Sequence, residues 1–174
     1  LPVEGGQRVC IWPEYDDPRV LVMYEGAFAD GSVFPKGVKF LAAVGSELRQ
    51  VCAITKPQNE HECQTFKALE ENGYLAVTYT LPIPTFFVEY YYPGIQGEGN
   101  KSLNFQFKAP YDVETLEVEV QQPLRSSGWA VSPTASSVSS DAKGFKYYNY
   151  SMANVAAGRV ISIDASYTKT DSKP

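Results

Sequence analysis

The 174-residue chain contains one histidine, two methionines, two tryptophans and three cysteines, and each scarcity removes a class of chemistry. Any Ser/His/Asp or Cys/His relay would have to run through His61. Its setting, Asn59-Glu60-His61-Glu62-Cys63, reads as the rim of a hairpin, and no Gly-x-Ser-x-Gly elbow occurs. Covalent haem attachment lacks its Cys-x-x-Cys-His motif. Phosphate binding lacks a glycine loop ending in lysine, because Gly94 to Gly99 has no strand-loop-helix context. No stretch reaches the roughly 18 uncharged apolar residues of a membrane helix. No run of Lys and Arg exceeds two residues, the net charge is −5 and the pI is near 4.9. Nucleic acid and anionic membrane surfaces both select clustered cations, so neither is expected as a partner, and no cofactor is implied.

What the chain does have is aromatic and turn-forming residues: 12 Tyr and 9 Phe beside 12 Pro and 13 Gly. This mixture favours many short strands. The densest β signal is Tyr74 to Pro93. Leu75, Val77, Tyr79 and Leu81 alternate with Ala76, Thr78 and Thr80, the period-2 pattern of a half-buried strand. Phe86, Val88, Tyr90 and Tyr92 then share one face and Phe87, Glu89 and Tyr91 the other, so this strand should be covered on both sides, with Glu89 needing a partner. Pro82 and Pro84 cannot donate ladder hydrogen bonds, so the chain should change sheets between the two runs.

Elsewhere, Arg8 to Trp12, Arg19 to Glu25, Lys36 to Ala43 and Arg49 to Thr55 read as strands, followed by Ser102 to Lys108, Val113 to Gln121, Phe145 to Tyr150 and Arg159 to Lys169. In Val113 to Gln121, Leu116, Val118 and Val120 face inward, leaving Glu117 and Glu119 on a wet face. Pro123 to Lys143 reads as a surface excursion with one short strand near Trp129 to Val131. Gln64 to Asn72 is read as a strand leading into the Asn72-Gly73 hairpin, with a short helix capped by Gly73 as the alternative. The expected fold is all-β, an antiparallel, immunoglobulin-like β-sandwich of about ten or eleven strands. The Gly94 to Gly99 break suggests two subdomains, residues 1–95 and 96–174, with a single sandwich over 8–169 as the alternative.

Cys52 and Cys63 are equidistant from the Pro57-Gln58 centre of a turn. That register places them directly across a hairpin, where Cα separations of ~4.5 to 5.5 Å suit a disulfide, worth roughly 3 kcal/mol at most for so short a loop. Two alternatives stay open here: buried free thiols, or a Cys3His metal set of Cys10, Cys52, His61 and Cys63, whose Cys-x-Cys spacing is poor for zinc. Glu14, Asp16, Asp17 and Asp30 supply calcium-like oxygens without a defined motif. Tyr90, Tyr91 and Tyr92, with Tyr147, Tyr148 and Tyr150, form two tracts that could join Trp12 or Trp129 in a stacking surface for a glycan or a protein. The plainer reading places these tyrosines at core and edge positions.

The strands PRVLVMYEG (Pro18 to Gly26), TLEVEVQQP (Thr115 to Pro123) and ISIDASYTKT (Ile161 to Thr170) resemble a loose group of exported, membrane-tethered bacterial β-sandwich proteins. They have the general look of immunoglobulin-like or carboxypeptidase-regulatory-like domains. The resemblance implies an extracytoplasmic location (periplasmic, cell-surface or secreted) and a non-enzymatic module, and it carries no catalytic residues. The expectation is therefore a non-catalytic cell-envelope module that binds a protein partner or a glycan, as the ectodomain of a protein whose membrane anchor flanks this chain. A metal or redox protein centred on Cys52, His61 and Cys63 is the second hypothesis. A structural subunit of a surface assembly joined through an edge strand is the third.

Overall fold

The computed structural model describes residues 2–171 and 173. Among these residues the chain forms fourteen strands and one 3-10 turn, Gly31–Val33. An eight-stranded sheet provides the base. It is built from β1 (Glu4–Pro13), β2 (Val20–Phe28), β4 (Glu47–Thr55), β5 (Glu60–Cys63), β8 (Thr85–Tyr92), β10 (Val113–Gln121), β12 (Ser137–Ser140) and β13 (Lys146–Val155), in the order β12-β13-β10-β1-β2-β8-β4-β5. Two three-stranded sheets cover one of its faces. One is β3 (Lys36–Ala43), β7 (Tyr74–Leu81) and β6 (Phe66–Glu71), in the order β3-β7-β6; the other, in the order β11-β14-β9, contains β9 (Gly99–Lys108), β11 (Ser127–Ser132) and β14 (Val160–Lys169).

The sandwich and the all-β class match the expectation, and the departures have local causes. The chain leaves the large sheet between β5 and β6, so β5 stands in a different sheet from the strand expected over Gln64 to Asn72. β12 is four residues of Ser137-Val138-Ser139-Ser140 without apolar alternation. β6 is a strand and not the alternative helix. Among the described residues the antiparallel rule has one exception: β1 and β10 run parallel, with Val9 beside Val118 and Ile11 beside Val120. A parallel neighbour needs a long crossover, and about a hundred residues separate these two strands. As expected, Pro82 to Pro84 carries the chain from one sheet (β7) to another (β8). Residues 93–98 connect β8 to β9, and strands from both sides of that link pair within the large sheet.

Alternation builds a single core. Val9 and Ile11 of β1, Val22 and Tyr24 of β2, Val88 and Tyr90 of β8, and Leu116 and Val118 of β10 all face the small sheets. They meet Val38 and Phe40 of β3, Val77 and Tyr79 of β7, Phe105 and Phe107 of β9, and Ile161 and Ile163 of β14. Phe28 packs against Phe34, Phe86 and Tyr111, with ring centroids 5.3 to 5.5 Å apart.

Two buried polar sites interrupt this core. Glu14, at φ 51° in the turn after β1, receives the Tyr167 hydroxyl at 2.6 Å and the Lys101 ammonium at 2.9 Å, with the fully buried Lys169 ammonium at 3.5 Å. This strap ties the end of β1, inside the large sheet, to β9 and β14. Glu4 is more isolated. Its carboxyl is fully buried, its partner is the Gln7 amide nitrogen at 2.6 and 3.2 Å once that amide is turned to donate, and burial pushes its pKa up to about 8.

The folded protein therefore holds the Glu4 proton at pH values where the unfolded chain, with a carboxyl near 4.5, has released it. The Glu4 contribution to stability is fullest below about pH 4.5 and is lost as the pH rises toward 8, by up to about 5 kcal/mol. Urea unfolding at about pH 5 and about pH 8.5 should show this decline in the wild type and little of it in Glu4→Gln. An equal decline in both proteins would show that Glu4 is not the group responsible.

Candidate binding face

The small sheets cover one side of the large sheet and leave the other side open. On the open side the register aligns outward-pointing residues in rows across the strands. One row runs Asn149, Glu119, Cys10, Met23, Glu89, Gln50, and the next runs Glu117, Arg8, Glu25, Phe87, Cys52, Cys63. Beyond them lie small residues, Thr115, Gly6, Ala27 and Thr85, beside the Ile54 and His61 pair. Because the row of small residues follows a row of long ones, the face dips into an open trough of about 700 Å³. Arg8, Glu25, Glu117, Phe87 and His61 stand around it.

Each wall is held from below or beside. Arg8 forms an ion pair with Glu119 and reaches Glu25 at 3.9 Å. Glu119 also receives the Trp12 indole N–H at 2.9 Å. The His61 ring packs, tilted by 48°, against Phe87 with centroids 4.6 Å apart, and its Nδ1 lies 2.7 Å from Gln50 Oε1. Met23, Phe87, Cys52 and Ile54 form a small second apolar cluster on this face. Further along the face, Tyr91 lies under the Arg19 guanidinium at 4.7 Å and donates to Asp16 at 2.9 Å. Burial and the bond to Asp16 push its pKa up to about 12, so it is a neutral donor at physiological pH.

Strand alternation splits the aromatic residues singled out in the sequence. Trp12, Tyr91 and Tyr147 lie half-buried on the open face, with the Trp12 and Tyr147 rings 6.2 Å apart. Tyr90 is fully buried in the core and bonds the Tyr24 hydroxyl at 2.6 Å, so it offers no surface. Tyr92 packs on Phe105, and Tyr148 and Trp129 pack on each other beside Tyr167. The Tyr150 hydroxyl is tied to the Pro133 carbonyl at 2.7 Å. These five belong to the covered side, because each is separated by an odd number of positions from an outward neighbour on its strand or packs on a core ring.

Cys52 and Cys63 are paired in the register that the symmetric turn predicts, and they form a disulfide. The bond takes two of the three sulfurs of the Cys10, Cys52, His61, Cys63 metal alternative, and Cys10 lies three strands away from β4. No group of three His, Cys, Asp or Glu side chains with metal-holding geometry occurs among the described residues. Cys10 is the free cysteine; burial pushes its thiol pKa far up, and Glu119 beside it pushes the same way. The calcium-like carboxylates are dispersed: Glu14 is in the strap, Asp17 is bound by Arg19 at 2.8 Å, and Asp30 caps the 3-10 turn. Glu119 was expected on a wet face but is 8% exposed, because Arg8 and Trp12 close over it.

The role of Arg8, Glu25, Glu117 and Phe87 was not singled out in the sequence. A signal was present: Arg8, Glu25 and Glu117 occupy alternate positions of strands whose other positions are apolar, which marks a face left without a covering layer.

No protein-family model and no curated protein matches this sequence. Solved structures do share the fold. A "putative protease" from Parabacteroides distasonis superposes with a TM-score of 0.53 at 11% identity, over 97% of this chain and 40% of that one. Leukotriene A4 hydrolase from Saccharomyces cerevisiae superposes with a TM-score of 0.56 at 8% identity, over 95% of this chain and 29% of that one. This chain thus spans well under half the length of either protein.

Thiol alkylation followed by intact mass measurement checks the cysteine assignment. Denatured but unreduced protein should gain one label, on Cys10, and reduced protein three. Three labels without reduction would mean that the disulfide does not form.

Proposed function

We propose that this chain is a non-catalytic, extracytoplasmic β-sandwich module that binds a protein partner or a glycan across the open face of its eight-stranded sheet. The observation that carries the reading is that one broad face is left uncovered and holds both a trough and a row of half-buried aromatic rings. Arg8, His61 and Phe87 at the trough, with Trp12, Tyr91 and Tyr147 beyond it, are of the residue types that dominate recognition surfaces. The disulfide supports an oxidising compartment, since such bonds persist outside the reducing cytosol. Two of the carboxylates on this face, Glu25 and Glu119, are held by Arg8.

The names of the similar structures favour a second reading. Both are named for hydrolytic proteins much longer than the matched part. In this reading the chain is the β portion of a longer hydrolytic protein, and its open face holds a substrate or a neighbouring domain while the chemistry lies elsewhere.

A glycan array and quantitative cross-linking to envelope proteins test the first reading. Thr115→Arg, which fills the trough floor from an exposed position, and His61→Ala should each weaken the binding found by at least about tenfold, while Glu98→Lys in the link before β9 should leave it unchanged. Absence of binding in both formats, or binding indifferent to both trough variants, would overturn the proposal.

A further inference from the structure

We infer that a second copy of this chain pairs with it, antiparallel, along the open edge of β6, so that two β3-β7-β6 sheets join into one continuous six-stranded sheet. β6 pairs with β7 on one side, and no strand pairs with its other side among the described residues. All six of its residues are exposed, Leu69 at 73% and Phe66 at 43%. Of the other edges, β3 and β9 approach each other where the two small sheets meet, and β5, β12 and β11 are blunted in the ways edge strands usually are. β5 is four residues long and carries Glu60, His61 and Glu62; β12 is four residues of mostly serine; β11 has a register shift between Ser127 and Ala130. The β6 register with β7 is unbroken from Phe66 to Glu71.

Charge then selects the partner and the register. A twofold axis perpendicular to the sheet preserves faces, so opposed residue numbers must add to an even sum. Centring the axis on Ala68 sets Lys67 opposite Leu69, and centring it on Glu70 sets two like charges against each other. Centring it on Leu69 places Lys67 of each copy opposite Glu71 of the other, giving two ion pairs with Leu69 meeting its own copy between them. Lys67, Leu69 and Glu71 share one face. On that face the register continues through Ala76 to Leu41, which are 3% and 9% exposed. The joined sheet would therefore carry one apolar strip across both copies. Glu71 already binds Lys39 of its own chain at 2.9 Å, and in the pair it bridges two cations. This reading is independent of the open face of the large sheet, which lies in a different sheet.

Sedimentation analysis of the disulfide-intact protein up to about 1 mM tests the pairing. Six residues per copy bury less than the roughly 1,200 Å² typical of stable interfaces, so a weak, concentration-dependent dimer is expected. Lys67→Glu and Glu71→Lys should each weaken it by at least about tenfold, because two attractive pairs become two repulsive ones. Mixing these two variants should restore dimers as heterodimers, since every opposed pair is then attractive; a destabilised fold could not be rescued in this way. Leu69→Cys should form a covalent dimer on oxidation, its sulfurs meeting at the axis. A monomer throughout, dimers insensitive to Lys67→Glu, failure of the mixture to associate, or pairing of β6 with some other strand in place of its own copy would each overturn the inference.

Discussion

One hydroxyl sits where all three sheets meet. Tyr24 is in β2, near the middle of the large sheet, and is 1% exposed. Its hydroxyl donates to the Leu41 carbonyl of β3 at 2.8 Å and lies 2.6 Å from the Tyr90 hydroxyl of β8, while its ring edge meets Phe107 of β9 at 5.4 Å. A buried hydroxyl without partners costs about 1–3 kcal/mol, so the position of β3 over the large sheet is constrained by chemistry as well as by volume. The small sheets must bury one face of the large sheet, and this junction decides where they sit. The other face is consequently left open, and both the trough and the aromatic row follow from that choice.

Polar groups inside the sandwich divide into a fully partnered set and a buried carboxyl with one neutral neighbour. The Glu14 strap, with two lysines and a tyrosine around one carboxylate, is a buried ionic site in which every member has a partner. Such sites contribute uniqueness of arrangement more reliably than net stability. Glu4 has only an amide beside it and answers burial by keeping its proton. The two carboxyls lie at opposite ends of β1, and the difference between them is whether a cation from a small sheet can reach.

The edges show the same division. A sandwich of open sheets always has unpaired strand edges, and here most are short, charged or irregular. β6 pairs only with β7 among the described residues, and all six of its residues are exposed. Its charges do not repel a second copy. They are arranged, about Leu69, to complement one.

Alternation in Tyr74 to Pro93, the proline link and the mirror spacing of Cys52 and Cys63 about Pro57-Gln58 were legible because each depends on local geometry: the two-residue pleat, the missing N–H of proline, and the symmetry of a hairpin. By those rules the sequence alone pointed to an all-β sandwich, the crossing between β7 and β8, and a register that sets Cys52 across from Cys63, while free thiols and a metal set stayed open until the structure joined the two sulfurs. The sequence could not decide what a strand's second face would meet. Glu119 became buried through Arg8 and Trp12, which lie more than a hundred positions away; Tyr90 and Tyr91, adjacent in the chain, were sent to core and open face; β1 found β10 as a parallel neighbour. Those outcomes depend on which sheets stack and which strands become neighbours across long loops. Pairing energies between distant segments set them, and no window of the sequence contains both partners.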